Sequence, residues 1–262
     1  APRSVWRAWT RPNEVVASRK LSTSAPFGSW SSARSCITSL GPAPQAARPE
    51  TSTPGATPGT LPKNFAAPLL WSPMTPLAGT PVPAHCQITG KMNQRVSAVD
   101  GVSYAIGFEM RLPNAWNGRF FYQANGGIDG SVGTATGGVN GGGGLTNALN
   151  MGFAVISSDA GHVGSQGPTF GLDPQARLDY GYQAAATLTP MAKSAIATAY
   201  GKGPDRSYIG GCSNAGRHTF VAMTRMPDEY DGYLAGAPGY RLPLAAIANI
   251  YGAKQYATVA TN

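Results

Sequence analysis

The chain has 262 residues, of which 42% are hydrophobic and 12% charged, and it contains 34 Gly and 22 Pro. This composition is too apolar for a fully disordered chain, and the lack of any run of roughly 18 apolar residues argues against a transmembrane helix. The formal net charge is +8, but residues 1–40 hold six of the basic residues and only one acidic residue, which indicates a basic arm rather than a folded nucleic-acid-binding face.

The arm over residues 1–80 is rich in Ser, Thr, Pro, Ala and Arg and lacks a sustained hydrophobic period. Turn signals such as Gly41-Pro42 recur there, so the sequence predicts mostly loop or disorder up to residue 80. The Arg- and Ser-rich start is similar in composition to a transit peptide, whereas no secretory signal peptide is visible. We expect the folded part of the chain to be residues 81–262.

The first predicted elements of the folded part are strands and a glycine-rich loop. Residues 104–112 alternate between apolar and polar side chains, and residues 118–123 and 153–158 are short apolar runs, so all three segments are predicted strands. Ten of the twenty residues 125–144 are Gly, which predicts a loop where the backbone can approach a ligand closely.

Helices and further strands follow in alternation. Asp173 and Pro174 have the residue types of an N-cap and a first helical position, Pro190 is expected to kink or split the helix, and Gly201 is expected to end it. Residues 206–210 and 233–237 predict strands on either side of a helix over residues 214–226. The alternation predicts an α/β protein whose mainly parallel sheet is covered by helices on both faces.

The segment GCSNAG at residues 211–216 has the pattern of a nucleophile elbow, in which a strand turns sharply into a helix and presents a serine at the turn. The strand and the helix nearly touch there, so the flanking residues must be small. A second match at residues 101–105 has no helix after it, which makes Ser213 the candidate nucleophile and Ser103 a turn serine. An ordinary helix N-cap remains the alternative for Ser213.

An elbow serine needs two backbone N–H groups that stabilise the oxyanion of the reaction intermediate. The N–H of Asn214 is the first candidate, because it lies at a helix N-terminus with partial positive charge. The second donor is expected from residues 125–127, directly after the predicted strand 118–123. A flexible surface turn remains the alternative for this loop.

The chain has three histidines, and none of them completes a catalytic triad at the level of sequence. His218 lies five residues after Ser213 on the same predicted helix and cannot reach back to it, and His85 lies at the domain edge. His162, in the segment DAGH at residues 159–162, is expected to pin loops near the site, with a general base as the weaker alternative. Hydrolases of this type have their acid and His after the Ser, and no such pair follows Ser213.

Five segments carry a family resemblance: NAWNGRFF (114–121), DAGH (159–162), FGLDPQARLD (170–179), GCS (211–213) and YDGYLAGAPGY (230–240). Together they resemble the tannase/feruloyl esterase family, and most closely its bacterial mono-hydroxyethyl-terephthalate hydrolase branch. The resemblance covers about residues 84–250 and implies an α/β-hydrolase fold. It also implies hydrolysis of aromatic esters of feruloyl, galloyl or hydroxyethyl-terephthalate type through an acyl-enzyme.

The resemblance assigns roles to individual residues. It implies Ser213 as the nucleophile and Gly127 and Asn214 as the oxyanion-hole donors, although the branch commonly has an acidic residue in place of Asn214. It implies Gly126 and Leu242 as substrate-binding residues. The segment that contains Asp159 and His162 is expected to support the site.

The resemblance also implies disulfides and an exported protein, secreted or periplasmic in a bacterium. Cys86 matches a family disulfide position, and Cys36 is its expected partner. Cys212 matches a cysteine that in the family is bonded to one beside the catalytic His, and this sequence lacks that partner.

The relatives are longer than this chain, so the resemblance predicts that residues 81–262 are the N-terminal part of a catalytic domain. The lid with its calcium site, the catalytic acid and the catalytic His are expected outside it, and this chain is predicted to bind no metal or cofactor. We expect the chain to bind an aromatic ester and to bind neither nucleic acid nor a membrane. We also expect the chain alone to hydrolyse esters at a negligible rate. The sequence leaves the oligomeric state open. The alternative is a non-catalytic α/β module that binds small aromatic ligands.

Overall fold

The computed structural model describes residues 5–11, 14–23, 82–138 and 147–259. These residues include eight strands: β1 (Val5–Arg11), β2 (Glu14–Thr23), β3 (His85–Val96), β4 (Ser103–Pro113), β5 (Arg119–Gln123), β6 (Ala154–Ser158), β7 (Arg206–Cys212) and β8 (Gly232–Gly236). Their α-helices are α1 (Pro174–Leu178), α2 (Ala184–Tyr200), α3 (Asn214–Arg225) and α4 (Leu242–Tyr256).

The eight strands form one sheet in the order β1-β2-β3-β4-β6-β5-β7-β8. Strands β6, β5, β7 and β8 run parallel to one another, as the sequence predicts. Strand β4 is antiparallel to both β3 and β6, and β1 is antiparallel to β2, so the sheet is mixed. The parallel strands bring the loop after β5 and the turn after β7 to the same edge, which is where ligands bind in open α/β sheets.

The core lies on both faces of the central strands, because successive side chains of a strand point to opposite faces. On one face, the fully buried Phe120, Ile156 and Ile209 belong to a cluster that also contains buried residues of α2 and α3. On the other face, Phe121 and Val155 pack with residues between the strands, namely Ala135, Ala148, Leu149 and Phe153. The sequence predicts helices on both faces; in the described residues, α2 and α3 cover one face and these irregular segments cover the other.

The helix predicted after Asp173 is confirmed at both of its ends. The Asp173 carboxylate caps α1 by accepting the N–H of Ala176 at 2.6 Å, and Gly201 ends α2 in the left-handed conformation with φ 79°. The expected split at Pro190 does not occur, because α2 continues through that residue. The irregularity lies earlier, where Asp179–Gln183 forms a π-helical turn between α1 and α2.

Strands β1 and β2 lie in the arm for which the sequence predicts mostly loop or disorder. They pair with each other, and β2 pairs in parallel with β3, from Ser18 opposite His85 to Thr23 opposite Gly90. Val, Trp and Thr residues favour extended backbone, but the surrounding Ser- and Pro-rich composition hides this short signal. Residues 24–81, which include Cys36, lie outside the described residues.

The sequence pattern also does not predict β3 or α4. No residue of α4 is buried, and Ile247, Ile250 and Tyr251 are between 62% and 71% exposed.

Among the described residues, no helix combines the length and the apolar content needed to cross a bilayer.

Candidate active site

Ser213 occupies a sharp turn between β7, which ends at Cys212, and α3, which begins at Asn214. Its backbone has φ 63° and ψ −122°, a conformation that costs a non-glycine residue about 1–3 kcal/mol. Three hydrogen bonds hold it there. The Ser213 N–H donates to the carbonyl of Gly236 at 3.0 Å, and its own carbonyl accepts N–H groups from Gly239 at 2.9 Å and Arg217 at 3.1 Å.

Small residues make this turn sterically possible. A Cβ at Gly211 would collide with the Cβ of Ala215, and a Cβ at Gly216 would lie 2.6 Å from the carbonyl oxygen of Gly236. The expectation that the strand and the helix nearly touch is therefore confirmed. Ala215 fits in the position next to Gly216 because Gly211 has no side chain.

The Ser213 side chain is exposed, and its hydroxyl makes no capping hydrogen bond with α3. An ordinary N-cap serine would use that hydroxyl to accept an N–H of the first helical turn. The N-cap interpretation of Ser213 is therefore wrong. The hydroxyl is instead presented at the edge of the sheet where ligands bind in this class of fold.

The glycine-rich loop begins directly beside β7. The N–H of Ala124 donates to the carbonyl of Gly210 at 3.1 Å, which continues the pairing of β5 with β7 toward the turn at Ser213. Gly127 is exposed in this loop with φ 64°, and no heavy atom lies within 4 Å of the place a Cβ would occupy. Gly126 precedes it, and its carbonyl accepts the N–H of Asp129 at 3.2 Å.

Two amide side chains attach this loop to its neighbours. The Asn125 Nδ2 donates to the Ser158 carbonyl at 2.6 Å and to the Ser157 Oγ at 3.0 Å, which ties the start of the loop to the end of β6. The Asn214 Nδ2 donates to the Asp129 carboxylate at 2.7 Å, which ties the loop to the start of α3. The structure therefore brings the loop of Gly127 and the helix terminus of Asn214 together.

Asp129 is a site residue that the sequence analysis does not identify. Its carboxylate also lies 2.8 Å from the His218 Nε2, which the Arg217 Nη2 approaches at 3.0 Å, and the side chains of Asp129 and His218 are almost completely buried. The available signal was a single carboxylate inside a run of glycines, with an otherwise unexplained histidine five residues after Ser213.

Asp159 supports the loop from the other side. Its backbone carbonyl accepts the N–H of Gly130 at 3.1 Å, and its carboxylate accepts the N–H groups of Gly107 and Gly161, both at 2.9 Å. Burial raises the pKa of this carboxyl to about 6, because the charged form loses more solvation than the two N–H groups restore.

His162 lies under the same loop and is 1% exposed. Its ring stacks on Phe170 with 3.8 Å between centroids, and its Nε2 is 3.3 Å from the place a Cβ of Gly130 would occupy. Burial lowers the pKa of His162, and the nearby carbonyl groups of Ile128 and Ala160 oppose this in part. This packing is suited to supporting a loop rather than to exchanging protons with a substrate.

None of the three histidines contacts Ser213 through a hydrogen bond in the described structure. His218 is engaged with Asp129, His162 is stacked in the interior, and His85 shares a hydrogen bond with the Pro83 carbonyl at the start of β3. Within the described ranges there is also no group of three His, Cys, Asp or Glu residues that could hold a metal ion.

Leu242 is the first residue of α4 and lies next to the turn. Its Cδ2 is 3.2 Å from the place a Cβ of Gly239 would occupy, and Gly239 is hydrogen-bonded to Ser213.

Cys212 is a free cysteine of intermediate exposure, whereas Cys86 is fully buried in the core. Since Cys36 lies outside the described residues, its pairing with Cys86 stays a prediction.

A mostly parallel sheet with a strained serine between a strand and a helix defines the α/β-hydrolase fold. The crystal structure of feruloyl esterase B from Aspergillus oryzae has the same architecture, with a TM-score of 0.51 and 28% sequence identity over 62% of this chain and 30% of that chain.

Within that fold, the family described as "Tannase and feruloyl esterase" matches residues 86–258, and the chain belongs to this family. The chain is 42% identical over 187 residues to the mono(2-hydroxyethyl) terephthalate hydrolase of Piscinibacter sakaiensis, which covers 68% of this chain and 31% of that protein. It is 36% identical over 132 residues to a probable feruloyl esterase B-1 of Neosartorya fischeri, which covers 50% of this chain and 24% of that protein. The matched region thus spans about a third or less of these relatives.

Proposed function

We propose that this chain carries the nucleophile and the oxyanion hole of a carboxylic ester hydrolase that acts on aromatic esters. One observation carries the proposal: Ser213 is held in a strained strand-to-helix turn with an exposed hydroxyl that does not cap the helix. Family membership supports the ester class, and relatives named as a feruloyl esterase and a terephthalate-ester hydrolase support an aromatic acyl group.

In the proposed reaction the Ser213 Oγ attacks the ester carbonyl carbon, and the hydroxyl proton passes to a general base. The carbonyl oxygen becomes an oxyanion, which the N–H groups of Gly127 and Asn214 stabilise by hydrogen bonds. The alcohol then leaves with a proton, and an acyl-enzyme remains. Water adds to this ester by the same sequence, releases the aromatic acid and restores the Ser213 hydroxyl.

The positions of the histidines support a second part of the proposal. His218 and His85 are hydrogen-bonded to other groups, His162 is buried and stacked on Phe170, and none of the three is hydrogen-bonded to Ser213 in the described structure. We propose that these 262 residues alone hydrolyse esters negligibly, because the hydroxyl stays a weak nucleophile without a base. Gly126 and Leu242 are the proposed contacts for the aromatic ester. We also propose that the protein is exported, as the cysteines and the family suggest.

The test is covalent labelling of the serine with an aryl fluorophosphonate, followed by intact mass and peptide mapping over hours. The labelling is run at alkaline pH, where hydroxide takes the proton that no histidine accepts, so that the Ser213 Oγ forms a bond to phosphorus while fluoride leaves. We expect one label, on Ser213, that Ser213→Ala abolishes and Ser103→Ala leaves unchanged. Tight binding of an aromatic acid without any label would favour the non-catalytic binding module instead.

The prediction of negligible turnover has its own measurement. We expect p-nitrophenyl and feruloyl esters to be hydrolysed by the chain no faster than by its Ser213→Ala variant. Hydrolysis that depends on Ser213 would contradict this expectation and would make His162 the next candidate base, to be tested by His162→Ala.

A further inference from the structure

We infer that Asp129 is a positioning residue that sets the distance between the two oxyanion-hole donors. The inference rests on the proposed function and extends it to a side chain that itself touches no reacting atom. Asp129 lies two residues after Gly127 in the loop, and its carboxylate binds the side chain of Asn214, whose backbone N–H is the other donor. One carboxylate therefore connects the two halves of the hole.

The contacts of the carboxylate are made to a single helix. Its Oδ2 accepts the Asn214 Nδ2–H at 2.7 Å and lies 2.8 Å from the His218 Nε2. Asn214 and His218 are four residues apart on α3 and so lie on one face of the helix. The Asp129 side chain is only 2% exposed, so water cannot replace these partners without opening the loop.

The orientation of the Asn214 amide is fixed from its other end. Its Oδ1 accepts hydrogen bonds from the Arg217 Nε at 2.6 Å and from the Tyr180 hydroxyl at 3.1 Å. The Arg217 guanidinium in turn lies 4.5 Å from the centroid of the Tyr180 ring. With the oxygen occupied, the amide nitrogen points at the loop, where it donates to the Asp129 carboxylate at 2.7 Å and, at the longer distance of 3.5 Å, to the Asn125 carbonyl.

The backbone of the loop transmits this contact to Gly127. Asp129 has φ 58°, and its N–H closes a turn onto the Gly126 carbonyl at 3.2 Å, so Gly127 lies inside a short hydrogen-bonded segment. Gly130 continues with φ 84° and donates to the Asp159 carbonyl at 3.1 Å. Aspartate tolerates this left-handed conformation less well than glycine would, and its carboxylate contacts offset that cost.

A small error in the position of a donor has a large kinetic effect, because the oxyanion forms only in the transition state. Loss of Asp129 would remove the shorter of the two hydrogen bonds of the Asn214 amide nitrogen and the carboxylate that faces His218, and would free the loop to move. The ground-state contacts of an aromatic ligand do not depend on the two N–H groups to the same extent. The expected signature is therefore a slower chemical step with little change in binding.

The experiment compares Asp129→Ala and Asp129→Asn with the wild-type chain, using the same aryl fluorophosphonate. The adduct places a phosphoryl oxygen where the oxyanion would be, so the maximal labelling rate reports on the hole and the KI reports on binding. We expect Asp129→Ala to lower the maximal rate by about tenfold or more while KI stays within about twofold. Asp129→Asn keeps an acceptor for the Asn214 amide and should recover part of the rate. Asp205→Asn, on an exposed carboxylate paired with Lys202, is the control and should change neither value.

The outcomes separate the inference from the proposal on which it rests. Equal labelling rates in wild type and both Asp129 variants would overturn the inference and leave the proposed function standing. No labelling of the wild-type Ser213 at alkaline pH, where hydroxide can take its proton, would overturn both. Parallel changes in rate, KI and unfolding midpoint in both variants would show that Asp129 only stabilises the fold, which contradicts a positioning role. If Asp129→Ala fails to fold, the comparison of Asp129→Asn with Asp205→Asn decides the question by the same criteria.

Discussion

The two halves of the candidate site are held in place by different means. The turn at Ser213 is fixed by steric fit, since Gly211 and Gly216 let a strand and a helix come together without room for a Cβ. Gly127 itself has open space around it, and its loop is tied to its neighbours by polar side chains, above all those of Asn125 and Asp129. One edge of the sheet thus combines a turn that is fixed by steric fit with a loop that is fixed by polar side chains.

A side chain added inside the turn should have the largest effect on stability, because it tests directly whether steric fit fixes the turn. In Gly211→Val, the new Cβ would collide with Ala215 and lie 3.1 Å from the carbonyl oxygen of Ala124. We expect the free energy of unfolding, measured by urea denaturation, to fall by roughly 3–5 kcal/mol, because the backbone cannot move aside as a side chain can.

The control for this change is Gly203→Val, at a site where nothing lies within 4 Å of an added Cβ. This substitution should lower the free energy of unfolding by less than about 1 kcal/mol. Similar losses in the two variants would mean that close approach is not what fixes the turn.

The second prediction concerns Asp159, which supports the loop from below. Its folded-state pKa of about 6 lies above the ordinary value of 3.8, so the folded chain keeps this proton in a range where the unfolded chain releases it. Stability should therefore fall as the pH rises from about 4 to about 6, by on the order of 3 kcal/mol in total.

Asp159→Asn removes this titration and keeps an oxygen for the N–H groups of Gly107 and Gly161. The difference in unfolding free energy between wild type and variant should change across that pH range in favour of the variant. Stability curves that stay parallel from pH 4 to pH 7 would contradict the buried, proton-binding carboxyl.

Asn125→Ala tests the side-chain half of the comparison with a smaller effect. The variant loses the hydrogen bonds to Ser157 and Ser158, so we expect a loss of about 1–2 kcal/mol. Hydrogen–deuterium exchange should become faster at residues 126–130 and stay unchanged in α3. Asn117→Ala removes a comparable amide bond to the Met151 carbonyl outside the site and should leave exchange in the loop unaltered.

Ser213→Gly should produce the smallest change, and with the opposite sign. Glycine adopts φ 63° and ψ −122° without the steric strain that serine has there. The free energy of unfolding should therefore rise by about 1 kcal/mol. Ser213→Ala keeps a Cβ and should show no such gain. A Ser213→Gly variant no more stable than Ser213→Ala would mean that the turn stores no strain.

The same contrast explains which part of the site could be predicted from sequence. The close contact between Gly211 and Ala215 at the turn is local, so the pattern GCSNAG and the elements around it predicted the turn, although its hydrogen bonds to Gly236 and Gly239 are not local. The contacts of Asp129 join it to Asn214 and His218, which lie 85 and 89 residues away. No local pattern reports such a pair, because only the folded sheet brings the two segments together.

The fold divides in a similar way. The central parallel strands and α3 have clear local patterns and were predicted, whereas β3 was not, because its second half is mostly polar and partly exposed. The break expected at Pro190 did not occur, since α2 tolerates the missing hydrogen bond there. In α4, exposed apolar residues occur on all sides, so no amphipathic stripe marked it as a helix.

The hydrogen bonds on either side of Ser213 also have a consequence for the order of assembly on the ribosome. Its N–H and its carbonyl are bonded to Gly236 and Gly239, which are synthesised more than twenty residues later. Until β8 has emerged and joined the sheet, the Ser213 N–H lacks its acceptor, and the carbonyl has only the N–H of Arg217 as a donor. We therefore expect the turn at Ser213 to reach its final conformation only after residue 239 has been translated, when the earlier strands have already begun to fold.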